Sequence, residues 1–132
     1  MQRLRTRAQF EAVMAGTTVS RTAHFALHRA PLDATGPGSA GPQALFAAGL
    51  RLQPWIGAVV PKRWAKRAVT RNTIKRQIYA VAQDLSLSLP CAAHVVRLRA
   101  GFDRAAFPSA TSDVLRRTVR AELQQLMRAA RP

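Results

Sequence analysis

Between residues 62 and 85 one stretch of chain has to meet two demands at once. Residues 62–76 read Lys-Arg-Trp-Ala-Lys-Arg-Ala-Val-Thr-Arg-Asn-Thr-Ile-Lys-Arg, in which seven of fifteen residues are basic and none is acidic. Overlapping this run, Ile74, Ile78, Val81 and Leu85 recur at intervals of four, three and four, which is the period of one helix face. The spacing predicts a helix over 68–85 with its apolar stripe on a core. Asn72, Arg76, Tyr79 and Gln83 then fall on the opposite side. Such a helix can pack on a domain and still present cations outward.

The clustering carries an energetic cost. Arg67 with Arg71, and Arg71 with Lys75, are like-charged i,i+4 pairs, each unfavourable by a few tenths of a kcal/mol. No acidic residue in the segment relieves them. A polyanion would, because each neutralised phosphate also releases counterions. The whole chain leans the same way, with 21 Lys and Arg against 6 Asp and Glu, a formal net charge of +15. Most of the excess is arginine, whose planar fork suits phosphates and stacks on bases. The bland alternative is a solvated basic face serving solubility, but ordinary surfaces mix both signs. A DNA major-groove helix is a further rival. A strand, not a first helix at helix-turn-helix spacing, precedes the basic helix.

Around this centre the chain reads as one domain spanning residues 1–132. Residues 5–15 are predicted helical, with Phe10, Val13 and Met14 on one face and Gly16 ending the segment. Residues 23–29 alternate as a strand, with Phe25 and Leu27 on one face and His24 and His28 on the other. Residues 31–43 are rich in Pro, Gly and Ser, which predicts a flexible inserted loop between strands. Strands are expected at 44–50, 54–60 and 92–99, and a last helix at 112–130 with Ser112 as its cap and Leu115, Val119, Leu123 and Leu126 as its stripe. The order is α, three strands, α, β, α: an α+β sandwich with one helix layer over a four-stranded sheet.

Chemistry of its own is hard to find in the chain. The six acidic residues, Glu11, Asp33, Asp84, Asp103, Asp113 and Glu122, are scattered, with no close pair for acid–base hydrolysis or a two-metal site. His24 and His28 lack a neighbouring carboxylate or thiol to complete a metal site. Cys91 is the only cysteine and is expected as a small buried or half-buried side chain. No run approaches 18 apolar residues, so no membrane span or partner is expected. No secretory hydrophobic region follows the N-terminus, so a cytoplasmic location is expected.

Specific residues go further. Ile56-Gly57-Ala58-Val59-Val60-Pro61-Lys62-Arg63, then Lys66-Arg67-Ala68-Val69, then Arg71-Asn72-Thr73-Ile74-Lys75-Arg76 together resemble the signature of the bacterial ribonuclease P protein component. Arg3-Leu4 followed by Phe10-Glu11 and Val13 resembles the opening helix of that family. The resemblance covers most of the chain outside 31–43 and the last helix. It implies a ribosomal-protein-domain-like sandwich with a mixed four-stranded sheet and a left-handed βαβ crossover. It implies a ribonuclease P subunit that binds the catalytic RNA and the 5′ leader of precursor tRNA, supporting endonucleolytic removal of the leader. On that resemblance the RNA holds the catalytic centre and uses Mg2+, the protein binds no metal tightly, and no obligate protein partner is needed. Carried over by position, Arg71, Asn72, Lys75 and Arg76 contact the RNA subunit, with Lys62, Arg63, Lys66 and Arg67 flanking. Phe10 and Phe25 are the candidates for a leader cleft, where stacking accepts any base; plain core packing is the alternative for both. Two positions depart from the family pattern. Thr73 stands where a second arginine is usual, which removes a cation from the expected RNA face, and Tyr79-Ala80 replaces the usual Arg-Glu. A ribosomal or ribosome-assembly RNA-binding protein is the competing expectation. It explains the charge but not the motif.

Overall fold

The computed structural model describes residues 1–32, 53–102 and 113–130. Its elements are β1 (Gln2–Arg3), α1 (Arg7–Met14), β2 (Thr17–Arg21), β3 (Phe25–Ala30), β4 (Trp55–Val59), α2 (Ala68–Asp84), β5 (Ala93–Leu98) and α3 (Asp113–Ala129). The strands form one sheet in the order β1-β4-β5-β3-β2. β5 sits in the middle, antiparallel to β3 and parallel to β4. α2 is therefore the crossover of a parallel β–α–β unit, so its basic first turn starts beside the end of β4.

Three helices and three of the strands lie within about two residues of their expected bounds. β1 and β2 are additions to the expected set, and they make the sheet five-stranded within an α+β fold of the anticipated class. β1 is only two residues long, and β2 reads Thr-Thr-Val-Ser-Arg, so neither carries a usable alternation. The strand expected at 44–50, most of the loop at 31–43 and the cap Ser112 lie outside the described residues.

Strand parity divides the core in two. Phe25 and Leu27 of β3, Ile56 of β4, and Val96 and Leu98 of β5 join Ile74, Ile78 and Val81 of α2 and Leu115, Val119, Leu123 and Leu126 of α3. Full burial of each such side chain is worth about 1.5–3 kcal/mol. On the other face, Trp55, Ala93, Val95 and Ala30 pack with Leu4 and with Val13 of α1. The sheet thus carries α1 on the face opposite α2 and α3, in place of the single helix layer expected from sequence. Thr6 caps α1 with a capping box: its hydroxyl accepts from Gln9 N at 3.1 Å, while Gln9 Oε1 accepts from Thr6 N at 3.1 Å.

α3 is tied to the turn between β2 and β3 by one carboxylate. Glu122 accepts from the Thr22 hydroxyl at 2.6 Å and the His24 backbone N–H at 2.8 Å, and Oε1 meets His24 Nδ1 at 2.7 Å. Phe102 stacks on the same imidazole, centroid to centroid 4.0 Å. Glu122→Ala leaves these part-buried donors without their acceptor, and unfolding stability is expected to fall by about 2 kcal/mol. Glu122→Gln, which keeps one carbonyl oxygen, should lose about half as much. Urea titration of the two variants checks this, and equal losses would refute the carboxylate's role.

Candidate nucleic-acid interface

The basic run begins as β4 ends. Trp64 N and Ala65 N both donate to Pro61 O at 3.1 Å, folding 61–65 into a tight turn, and Ala65 is buried in the core. Arg71, in the first turn of α2, reaches back and donates through Nη1 to Ala65 O at 3.0 Å and Lys66 O at 2.9 Å. It acts as a clasp on the turn and is only half exposed. Lys62, Arg63, Lys66 and Arg67 stand exposed on the clasped segment. Among the described residues none of the four is in an ion pair.

Farther along α2, a groove of about 710 Å³ opens between the helix and β1, walled by Arg3, Asn72, Lys75, Arg76, Tyr79 and Gln83. Asn72, Lys75 and Arg76 are all exposed. The Arg3 guanidinium lies 4.1 Å over the centre of the Tyr79 ring, a cation–π contact that fixes the charge at the groove edge. Among the described residues no acidic side chain lines the groove. Position 73 does not belong to this face. Thr73 is buried, and its hydroxyl donates to Val69 O at 2.9 Å. The Thr73 side chain therefore turns inward, away from the side of α2 on which Asn72, Lys75 and Arg76 stand exposed.

The second surface lies beside α1. Phe10 is half-buried and sits directly on Gly57, where a Cβ would come within 2.5 Å of Phe10 Cε1 and 2.8 Å of Leu4 Cδ1. Gly57 is in register with Val95, and Val95 with His28, so the same sheet face runs from the Phe10 ring toward His28 and Arg97. His28 Nε2 accepts from Arg97 Nε at 3.3 Å, and Nδ1 is 3.1 Å from Thr18 Oγ1. Burial, then the charges of Arg97 and Arg21, lowers the His28 pKa, so the ring is neutral with its proton on Nδ1, shared with Thr18. Phe25 is not part of this surface. Its ring is fully buried on the opposite face under α2 and α3, so it offers nothing to a base.

Sequence reasoning missed Arg3, His28 and Arg97, whose partners are far along the chain. It also misplaced Cys91, which is exposed. His24 and His28 engage different partners. Among the described residues no group of three or more His, Cys, Asp or Glu could hold a metal ion. The described carboxylates are committed elsewhere: Glu11 to Arg7, Asp84 to Arg120, Asp113 to Arg116, and Glu122 to the β2–β3 turn. No helix among the described residues is long and apolar enough to cross a membrane.

The fold is an α+β domain whose mixed sheet carries a cation-bearing crossover helix on one face and an apolar step beside cations on the other. The Ribonuclease P family model matches residues 1–127; the chain belongs to the ribonuclease P protein family. The ribonuclease P protein component of Bordetella parapertussis is 35% identical over 121 residues, covering 92% of this chain and 85% of the relative. That of Bordetella petrii is 33% identical over 131 residues, covering 98% and 92%. The solved RNase P protein of Staphylococcus aureus shares the fold, with a TM-score of 0.65 at 17% identity over 97% of this chain and 94% of that one. Family membership makes the chain a component of an RNA-processing endoribonuclease with ribonuclease P RNA as partner.

Proposed function

We propose that this protein docks on the catalytic RNA of ribonuclease P through α2 and the turn before it. On this reading it holds the single-stranded 5′ leader of precursor tRNA along the sheet face beside α1, so that the RNA removes the leader. The groove of Arg3, Asn72, Lys75 and Arg76, which no acidic side chain lines among the described residues, carries the reading. Its cations repel one another unless a polyanion is present, and they stand on rigid elements. Phe10 stacks on a leader base, and Arg97 and Arg21 neutralise the neighbouring phosphates. Stacking of this kind is indifferent to base identity, which suits leaders of varied sequence. Mg2+ belongs to the RNA, where it supplies the charge stabilisation of phosphodiester cleavage. The work is done in the cytoplasm.

Reconstitution tests this. The protein is mixed with a bacterial ribonuclease P RNA and labelled precursor tRNA at low magnesium, where the RNA alone is slow. Correct 5′ cleavage is expected to return on adding the protein. RNA binding with no gain in cleavage would move a ribosomal or general RNA-binding role ahead.

A further inference from the structure

One large aromatic side chain in the basic segment stands partly open to solvent. Trp64 is 38% exposed, yet its backbone is held on three sides. Its N–H bonds Pro61 O, the next residue is buried, and Gly101 approaches so closely that a Cβ there would be 2.9 Å from Trp64 O. The clasp from Arg71 fixes the residues that follow. The Arg63 guanidinium lies 5.2 Å from the ring centre, and Lys62, Lys66 and Arg67 are exposed within three residues of Trp64 in the chain. Leu87 is more exposed but stands between two serines, with no cation beside it.

An exposed aromatic ring on a fixed backbone, within a run of exposed cations, is the arrangement that holds single-stranded nucleic acid, with the ring meeting a base and the cations meeting the flanking phosphates. We infer that Trp64 is a stacking platform for one unpaired base of an RNA strand. Lys62, Arg63, Lys66 and Arg67 take the phosphates on either side. The inference rests on the reading that the ligand is RNA. It adds a base contact to a segment whose other contacts are to phosphate. The base comes either from an unpaired stretch of the RNA subunit or from precursor tRNA.

Tryptophan fluorescence reads this directly. Trp55, the other tryptophan, is buried, so quenching by a stacked base reports Trp64. Titrating the full chain with a single-stranded oligouridylate should quench the emission, and Trp64→Phe should abolish that quench while still binding. Trp64→Ala should bind the oligonucleotide roughly 5- to 100-fold more weakly. It should bind an abasic strand of equal length as well as the unchanged protein does, which a misfolded variant would not. Its salt slope should stay constant, whereas Lys66→Ala should lower the slope by about 0.7–0.9. Repeating the titration with ribonuclease P RNA and with precursor tRNA identifies which strand supplies the base, and a quench from either supports the platform. Absence of quenching by every RNA, or binding by Trp64→Ala within twofold of the unchanged protein, overturns it. If reconstituted cleavage works and the quench is absent, the platform alone fails. If cleavage never appears, the functional reading has failed independently.

Discussion

Replacing Arg3, Lys75 and Arg76 together by alanine is expected to weaken binding to ribonuclease P RNA by about 10- to 100-fold at moderate salt, with the fold unchanged. All three side chains are exposed, and all three line one groove. Each phosphate that is no longer neutralised should take about 0.7–0.9 from the slope of log affinity against log salt, so the triple variant should be shallower by about two to three units. Exposed ion pairs are worth up to about 1 kcal/mol each, which gives the range of affinity loss. Arg71→Ala behaves differently. Its guanidinium is bonded to Ala65 O and Lys66 O, so its removal should cost about 1–2 kcal/mol of stability as well as loosen the turn. Pairing it with Lys75→Ala would confuse a folding defect with a binding defect. Binding of labelled RNA across a potassium chloride series separates the two. An unchanged slope in the triple variant would show that the groove does not meet phosphate.

These sites were legible from the chain to different depths, for physical reasons. The stripe of Ile74, Ile78 and Val81 dictated which side of α2 faces the core, so Asn72, Arg76, Tyr79 and Gln83 were correctly separated from it, and all four line the groove together with Arg3 and Lys75. Arg3 was not placed there because a two-residue strand has no period, and its stacking on Tyr79 joins residues far apart in the sequence. In β3, alternation correctly separated Phe25 and Leu27 from His28. Alternation does not say which helix covers which face, and α1 took the His28 face. Phe10 and Phe25, grouped from sequence as aromatics of one cleft, are therefore on opposite sides of the sheet. Thr73 follows the same logic. It precedes Ile74 in sequence, and its short side chain is turned back onto Val69 O, so a family position usually filled by arginine faces inward in this chain. Pairings over long separations, such as Arg97 with His28 or Glu122 with Thr22, have no signature in composition or period.

The fold is also expected to weaken sharply in mild acid, and His94 is the principal cause. This side chain is fully buried, with Nε2 3.1 Å from Pro90 O and Nδ1 facing Arg29 Nε at 3.5 Å. Arg29 can only donate, so Nδ1 is the bare nitrogen and the ring is neutral, with its proton on Nε2. Burial disfavours the imidazolium most. The Pro90 carbonyl opposes that, Arg29 adds to it, and the pKa falls from 6.5 to about 4. Between those two values the unfolded chain binds a proton that the folded chain does not. The stabilisation is therefore complete above the unfolded pKa and is lost as pH drops toward the folded one. One group with this shift removes about 2 kcal/mol between pH 7 and pH 5, and about 3 kcal/mol by pH 4. His28, whose pKa is lowered by burial and by Arg97 and Arg21, pushes in the same direction. Urea unfolding at a series of pH values measures the slope, and His94→Leu should flatten it between pH 6.5 and 5 whatever it does to stability at neutral pH. A slope in the variant as steep as in the unchanged protein would mean that another group takes up the proton.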